Sequence, residues 1–313
     1  MIPTKNHLDN AIKTVADLVH ETPVLTSSAL NAMVGAQLFF KCENFQKMGA
    51  FKMRGAVNAI QNLSEKQKAS GVVTHSSGNF GQAVALAAKN LGVTAYVVMP
   101  ENAPSVKKEA VKEYGAIVTE CESTLKAREH TSAKIQEKTG ATFLHPSNNL
   151  NVILGNATAG VELLQKHPDL DYILTPVGGG GLIAGVAIAA KYFGAKCKVL
   201  GGEPFAVDDA FRSLKSGKIE VNASANTVAD GLRTSLGDIN FPIIQELVAE
   251  IIRVEEAEIV EAMKHIWQRM KIIVEPSSAV PLAAVLKKTS KFTDKKVGII
   301  LSGGNVDVEK LPF

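Results

Sequence analysis

Residues 172–190 have the sequence YILTPVGGGGLIAGVAIAA, which carries a strong signal for the fold. A β-branched apolar run is followed by four consecutive glycines and then by small apolar residues at helical spacing. That order predicts a buried strand, a bare loop and a helix. Because the loop and the helix N-terminus present several backbone N–H groups to one point, we expect an anion there, and phosphate is the usual one.

Apolar β-rich runs recur along the chain and alternate with helical segments at 54–63, 81–91, 105–114 and 124–138. The predicted strands are AQLFFKC (36–42), GVVTHS (71–76), TAYVVM (94–99), AIVTE (116–120), DYILTPV (171–177), KCKVLGGE (196–203) and VGIILS (297–302). This alternation predicts an α/β fold in which parallel sheets are covered by helices. Since the strands form two sets, near 70–145 and 170–305, we expect two sheets with a ligand-binding cleft between them.

The composition narrows the class of protein. The chain has 313 residues, 46% of them hydrophobic and 21% charged, which is typical of a soluble globular protein. Its net charge of +3 is spread without a Lys/Arg block, which argues against nucleic acid as a partner. The apolar run after the glycines is too short for a membrane helix, and the N-terminus shows no signal peptide. Three scattered cysteines (Cys42, Cys121 and Cys197) favour a reducing, cytoplasmic location.

Two further segments carry polar residues at element boundaries. Lys52 lies between Phe51 and Met53, where partial desolvation would lower its pKa and make the amine nucleophilic. Taken alone, the segment fits an ordinary surface lysine better. Residues 76–79 (SSGN) fall between a strand and a helix, and this turn is either a cradle for a substrate carboxylate or a simple helix cap.

The glycine loop by itself leaves the ligand open. Gly179, Gly181 and Ala184 also satisfy the G-x-G-x-x-A pattern of dinucleotide-binding proteins, and Glu203 ends the next strand. A nicotinamide-dependent oxidoreductase is therefore an alternative. At the end of the last predicted strand, Ser302 could hydrogen-bond a ring nitrogen or merely complete a turn.

Taken together, these segments resemble the fold-type II family of pyridoxal-phosphate (PLP) enzymes, which are tryptophan synthase β-like. Within that family the chain is similar to the serine/threonine dehydratase and serine racemase group. The resemblance extends from ETPVLTSS (21–28) to LSGGNVD (301–307). It rests on segments in the family's order: KCENFQKMGAFKMRGA, SSGN, PVGGGGL, EPFAVDD, ADG and VEPSSA.

The resemblance implies a set of roles. Lys52 would bind PLP covalently, residues 178–182 its phosphate, Asn79 its ring hydroxyl and Ser302 its ring nitrogen. The residues implied to contact PLP are Lys52, Phe51, Asn79, Gly178, Gly179, Gly180, Gly181, Leu182, Glu275 and Ser302. Because a serine does not stabilise a protonated ring nitrogen as a carboxylate does, loss of a β-substituent is favoured over transamination.

The implied reaction is dehydration of serine, threonine or 3-hydroxyaspartate to a 2-oxo acid and ammonia, with serine racemisation as a second activity. Lys52 would take the α-proton on one face, and Ser77 would exchange a proton on the other. The residues expected to bind the substrate are Ser76, Ser77, Gly78, Asn79, Phe80, Ser147 and Arg128. Phe80 stands where many relatives have histidine, and Ser147 stands where the serine racemase pattern has asparagine, so the choice among the three substrates stays open.

EPFAVDD (203–209) resembles the segment that binds a divalent cation in serine racemases. The implied ligands of Mg²⁺ (or Ca²⁺ or Mn²⁺) are the Glu203 and Asp209 carboxylates and the Val207 carbonyl, all hard oxygens. The alternative is a solvated helix start near Asp208.

The resemblance also implies a large PLP-binding domain (1–64 and 150–313), a small domain (65–149), an active site in the interdomain cleft and a homodimer. Two further alternatives are a sulphide-using β-replacement synthase of the same fold and a non-catalytic module that keeps PLP as a sensing ligand. No regulatory domain is expected after residue 307.

Overall fold

The computed structural model describes residues 2–76, 78–103 and 105–313. The strands are β1 (Val24–Leu25), β2 (Gln37–Cys42), β3 (Val72–His75), β4 (Ala95–Pro100), β5 (Ile117–Cys121), β6 (Thr142–Phe143), β7 (Tyr172–Pro176), β8 (Lys198–Pro204), β9 (Val248–Val254) and β10 (Lys296–Leu301). The helices are α1 (Lys5–Val15), α2 (Ser28–Val34), α3 (Lys52–Gln61), α4 (Glu65–Ser70), α5 (Asn79–Asn90), α6 (Ser105–Glu113), α7 (Leu125–Thr139), α8 (Leu150–Lys166), α9 (Gly181–Phe193), α10 (Asp209–Ser216), α11 (Phe241–Leu247), α12 (Glu256–His265), α13 (Pro276–Lys287) and α14 (Thr289–Phe292).

The strands form two sheets in the described part of the chain. The larger has the order β1-β2-β10-β7-β8-β9, and the smaller has the order β5-β4-β3-β6. Every pairing is parallel except that of β1 with β2, so the sheets are parallel-rich as predicted. The strands of the smaller sheet all fall within residues 72–143. The predicted domain boundaries at 64/65 and 149/150 lie outside that range, and the division into domains stays a prediction.

Alternate residues of the central strands point to opposite faces of the larger sheet, and both faces are buried. Ile173 on β7 packs in a cluster with α8 and α9, whereas its neighbour Leu174 packs with α12 and α13. A strand covered on both faces reads as a continuous apolar run, which explains the sequence of β7. Helix α9 is itself buried over residues 181–190 and therefore lacks a polar face.

Each of the predicted strands forms. The structure also contains β1, β6 and β9, which the sequence did not predict, and the reason can be identified for each. The two-residue strands β1 and β6 are too short to give a periodic signal. Strand β9 starts directly after α11 without an intervening turn, and its charged residues Glu250 and Arg253 interrupt the apolar pattern. Two helices start earlier than predicted, α3 at Lys52 and α5 at Asn79, which places both residues in a first helical turn.

No helix in the described ranges is both long enough and apolar enough to cross a membrane.

Candidate functional site

Many of the predicted PLP- and substrate-binding residues lie just after the carboxyl ends of parallel strands in the two sheets. The segment to Lys52 follows β2, the SSGN turn follows β3, the glycine loop follows β7 and Ser302 follows β10. Ser147 comes shortly after β6. Because the carboxyl ends of parallel strands share one edge of a sheet, each sheet directs its loops into the same cleft. Hydrogen bonds between loops of the two sheets show that these edges face each other, since Lys52 bonds Pro146 and Asn79 bonds Glu275.

Lys52 is the first residue of α3, and its amine reaches across to the other sheet. Its Nζ donates a hydrogen bond to the carbonyl of Pro146 at 2.9 Å. The rings of Phe51 and Phe80 lie 4.9 and 5.6 Å from Nζ, so the amine has apolar neighbours on two sides. Burial lowers the pKa of Lys52 to about 8, although the Glu275 carboxylate acts to raise it. The amine therefore has a substantial neutral, nucleophilic fraction near neutral pH.

Backbone hydrogen bonds fix the loop that carries Lys52 against the end of β10. Phe51 N–H donates to the carbonyl of Ser302 at 3.0 Å, and Gly304 N–H donates to the carbonyl of Gly49 at 2.9 Å. The buried Ser302 hydroxyl lies 3.0 Å from that of Ser278, which also bonds both backbone groups of Gly303. Phe51, the neighbour of Lys52, is thus bonded directly to Ser302, about 250 residues away in sequence.

The glycine loop follows β7 in the larger sheet and leads into α9. Gly180 caps α9 in the left-handed region, with φ of 78°. Among the described residues, no backbone N–H from Gly178 to Leu182 has a carbonyl or side-chain acceptor. The first N–H groups of any helix lack intrahelical acceptors, and here the preceding glycines add more donors. This arrangement suits a phosphate group.

The structure adds a second reason why no side chain is present in the loop. A Cβ on Gly178 would lie 2.8 Å from Leu232 Cα, and one on Gly180 would lie 2.6 Å from the Leu236 side chain. The buried amide of Asn240 donates to the carbonyls of Gly179 and Ser147, at 2.8 and 3.2 Å. The loop therefore lacks side chains also because other segments of the protein pack directly against its backbone.

The turn after β3 has free space at Gly78. Gly78 N–H donates to the Ser76 hydroxyl at 3.3 Å, and a Cβ built on Gly78 would meet no atom within 4 Å. Asn79 begins α5, and its amide Nδ2 lies 3.1 and 3.0 Å from the two carboxylate oxygens of Glu275. Phe80 is buried and contributes its ring beside Lys52. Ser77, the second predicted catalytic residue, lies outside the described residues.

His145 and Ser147 lie in the segment that connects β6 to α8. His145 Nδ1 accepts hydrogen bonds from the N–H groups of Ser147 and Asn148, at 3.2 and 2.8 Å. The proton of the neutral ring is therefore on Nε2. Burial, followed by the charges of His75 and Lys52, lowers the pKa of His145 to about 4, so the ring is neutral at physiological pH. His145 was not identified from the sequence, where one histidine among seven carried no pattern.

Arg128 lies half-buried on α7, where its Nε donates to the carbonyl of Thr124 at 3.4 Å. Its charge lowers the pKa of His75, after the larger effect of burial. His75 stacks against Phe143, with ring centroids 5.2 Å apart, and so packs within the smaller sheet. No described contact places Arg128 against Lys52, and its part in substrate binding stays a prediction.

The predicted cation ligands lie together at the start of α10. Glu203 is buried, and its two oxygens accept from the N–H groups of Ala210 and Phe211, at 3.0 and 2.8 Å. Asp209 accepts from Asn222 Nδ2 and from Leu236 N–H. Burial and then the neighbouring Asp209 charge raise the pKa of Glu203, and burial raises that of Asp209 to about 6. Within the described ranges, no group of three or more His, Cys, Asp or Glu side chains could hold a metal ion.

Several residues at the site were not predicted, because no motif in the sequence pointed to them. Asn240 ties the glycine loop to Ser147, and Pro146 provides the acceptor for Lys52. Asn305 donates to the Asn79 amide oxygen and to the carbonyl of Met48, both at 2.9 Å. Asn240 precedes a helix with a proline in its first turn, a signal that marks a helix start but not a ligand site.

Comparison with known proteins identifies a single family. The family model described as "Pyridoxal-phosphate dependent enzyme" matches residues 15–303. A serine racemase of Dictyostelium discoideum is 51% identical, with 98% of this chain and 96% of that protein covered. A beta-hydroxyaspartate dehydratase of Paracoccus denitrificans is 46% identical, with coverage of 100% and 99%. The crystal structure of a threonine deaminase from T.th. superposes with a TM-score of 0.93 at 43% identity, with 97% and 99% of the chains covered.

Proposed function

The chain belongs to the family of pyridoxal-phosphate dependent enzymes, and we propose that it eliminates water from a β-hydroxy amino acid and also racemises serine. The substrate is serine, threonine or 3-hydroxyaspartate, and the products of elimination are a 2-oxo acid and ammonia. The family match decides against the nicotinamide alternative.

The observation that carries the proposal is the position of Lys52. Its amine lies between two aromatic rings, beside the end of β10 and within reach of the opposite sheet, and its pKa is lowered to about 8. A buried lysine in a cleft, with a neutral fraction at working pH, is suited to bond an aldehyde. A surface lysine whose stem covers apolar neighbours would show neither the fixed partner nor the lowered pKa.

The remaining residues fit PLP. The N–H groups of residues 178–182 and the positive end of α9 suit its phosphate. Asn79, which bonds Glu275, suits the ring hydroxyl, and Ser302, which bonds Ser278, suits the ring nitrogen, while Phe51 and Glu275 complete the walls. PLP supplies an electron-withdrawing system that acidifies the α-carbon of an attached amino acid.

The residues of the chain then bind the substrate and move protons. The Ser76 hydroxyl and the N–H groups at the start of α5 hold the substrate carboxylate. Lys52 Nζ removes the α-proton in its neutral form, and the rings of Phe51 and Phe80 restrict water around that nitrogen. Ser77 exchanges a proton on the opposite face, which allows racemisation to compete with elimination. The neutral Ser302 favours elimination over transamination.

Phe80, Ser147 and Arg128 line the part of the pocket that meets the substrate side chain. Phe80 and Ser147 are buried close to Lys52 and its acceptor Pro146, so a change in either alters the space beside the reacting carbon. Arg128 would serve a substrate with a second carboxylate, such as 3-hydroxyaspartate.

We also propose a divalent cation, Mg²⁺, Ca²⁺ or Mn²⁺, at Glu203, Val207 and Asp209. Burial raises the pKa of both carboxylates, so each is costly to keep as an anion, and a divalent cation bound to them would offset that cost. The residues fit a hard cation that keeps several waters. The homodimer and the cytoplasmic location inferred from the sequence remain predictions.

The proposed function is tested by supplying D- and L-serine, threonine and 3-hydroxyaspartate to the purified protein with PLP. We expect a visible absorbance band, 2-oxo acid release from at least one L-substrate, and interconversion of D- and L-serine. Lys52→Ala should remove the band and both activities. A protein that binds PLP but turns over none of these substrates would contradict the enzymatic proposal, and sulphide-dependent replacement at the β-carbon would favour the synthase alternative.

A further inference from the structure

A chain of side-chain hydrogen bonds connects four segments around Lys52. It runs from the Glu275 carboxylate at the start of α13, through the amides of Asn79 and Asn305, to the carbonyl of Met48. Asn79 follows β3 of the smaller sheet, whereas Glu275, Asn305 and Met48 lie in segments next to the larger sheet. The chain therefore joins loops that the two sheets position separately.

Both ends of this chain can only accept hydrogen bonds. The two oxygens of Glu275 lie 3.1 and 3.0 Å from the same atom of Asn79, as in an ionised carboxylate, and a backbone carbonyl has no hydrogen to donate. The atom of Asn79 that faces Glu275 is therefore its amide nitrogen. Its oxygen faces Asn305, which must present its own nitrogen to both Asn79 and Met48. Neither amide can rotate by 180° without placing oxygen against oxygen or nitrogen against nitrogen.

One hydrogen of the Asn79 amide stays available to the cleft. The two oxygens of one carboxylate subtend a much smaller angle than the two hydrogens of an amide, so a single hydrogen is shared between them. The second hydrogen has no acceptor among the described residues, and Asn79 is only half-buried. The polarity of the chain thus makes Asn79 a donor toward the cofactor site.

We propose that Glu275 and Asn305 are positioning residues that fix Asn79 as a hydrogen-bond donor to the ring hydroxyl oxygen of PLP. This inference rests on the proposed function. The same chain ends at Met48, whose φ of 57° is unusual for a side-chain-bearing residue. The Asn305 amide therefore also supports the strained turn that leads to Lys52.

The test compares holoenzyme variants with PLP as the probe. Asn305→Asp replaces the donating amide by an acceptor, which opposes the Asn79 oxygen and the Met48 carbonyl at once. We expect PLP affinity to fall by about tenfold or more, with a shift in the visible band, because two hydrogen bonds are replaced by contacts between acceptors. Asn44→Asp is the matched control: Asn44 adjoins Gly304, and its amide likewise donates to a carbonyl, that of Ile273 at 3.0 Å. None of its described contacts involves Asn79, so affinity and band should change little.

The double variant Glu275→Gln/Asn305→Asp separates polarity from stability. The amide introduced at position 275 can donate to the Asn79 oxygen, while the carboxylate introduced at position 305 accepts from its nitrogen. The Asn79 amide then turns over and again has partners on both sides. We expect the melting temperature to recover part of the loss seen in Asn305→Asp, without recovery of PLP affinity. Recovery of both together would refute the role of polarity.

The outcomes also distinguish this inference from the proposed function. A wild-type protein without a PLP-dependent visible band contradicts the proposed function and, with it, this inference. If the wild type shows the band but Asn305→Asp behaves like Asn44→Asp, the positioning role alone is contradicted.

Discussion

Arg54, two residues after Lys52, offers a strong test of how the first turn of α3 is held. Its guanidinium is fully buried and bonds both oxygens of Glu43, at 2.8 and 2.9 Å, and both of Glu162, at 2.6 and 2.8 Å. Lys41 Nζ, also buried, bonds Glu162 at 2.5 Å. The cluster contains two cations and two carboxylates, so its charges balance.

Arg54→Met removes one cation and leaves the Glu43 carboxylate buried without its ionic partner. Glu162 retains Lys41, and it is partly exposed, so the cost falls mainly on Glu43. Breaking a buried ion pair costs about 3–5 kcal/mol. For a chain of this length that corresponds to a fall of roughly 5–8 °C in melting temperature. Because α3 carries Lys52, we also expect weaker PLP retention.

Calorimetry and denaturant unfolding of Arg54→Met and Arg54→Met/Glu43→Gln provide the assay. The double variant has no buried carboxylate without an ionic partner at position 43, so it should be more stable than Arg54→Met. The Arg54 charge lowers the pKa of Glu43 against the effect of burial, so in Arg54→Met that pKa should rise. A raised carboxyl pKa adds stability as the pH falls, and the deficit of Arg54→Met should therefore shrink below about pH 5. A deficit under about 1 kcal/mol, or one independent of pH, would refute this reasoning.

Three further predictions concern the site. The rate at which the apoprotein captures PLP should rise with pH to a plateau, with a midpoint near the Lys52 pKa of about 8, because only the neutral amine attacks an aldehyde; a rate independent of pH from about 6 to 9 would contradict it. Stabilisation by Mg²⁺, measured as a rise in melting temperature, should weaken as the pH falls through the Asp209 pKa of about 6 and should vanish in Asp209→Asn; an undiminished rise in that variant would remove the cation site. Gly180→Ala should lose PLP and about 2 kcal/mol or more of stability, because both its φ of 78° and the Leu236 side chain oppose a Cβ. Gly92→Ala, with φ of 66° and no atom within 4 Å, carries only the backbone cost of about 1 kcal/mol, and equal losses in the two variants would refute the packing argument.

Local sequence patterns were enough to predict the fold class, whereas the covalent role of Lys52 followed only from the resemblance of the ordered segments to the family. A strand that is buried on both faces must be apolar throughout, and a loop that other groups approach closely must lack side chains; both demands are local and are visible in residues 172–190. The ordered segments then gave the family, which the comparisons confirm. These features are readable because each one constrains neighbouring residues in the chain.

The contacts between distant segments became known from the three-dimensional structure. The pairing of β2 with β10, the Asn240 bridge to the glycine loop and the directed chain from Glu275 to Met48 each join residues that are far apart in sequence. An asparagine is compatible with turns, caps and solvent alike, so its residue type does not reveal its partner. The direction in which the Asn79 amide points depends on acceptors contributed by α13 and by the Met48 turn, and it is the packing of the two sheets that brings those acceptors together.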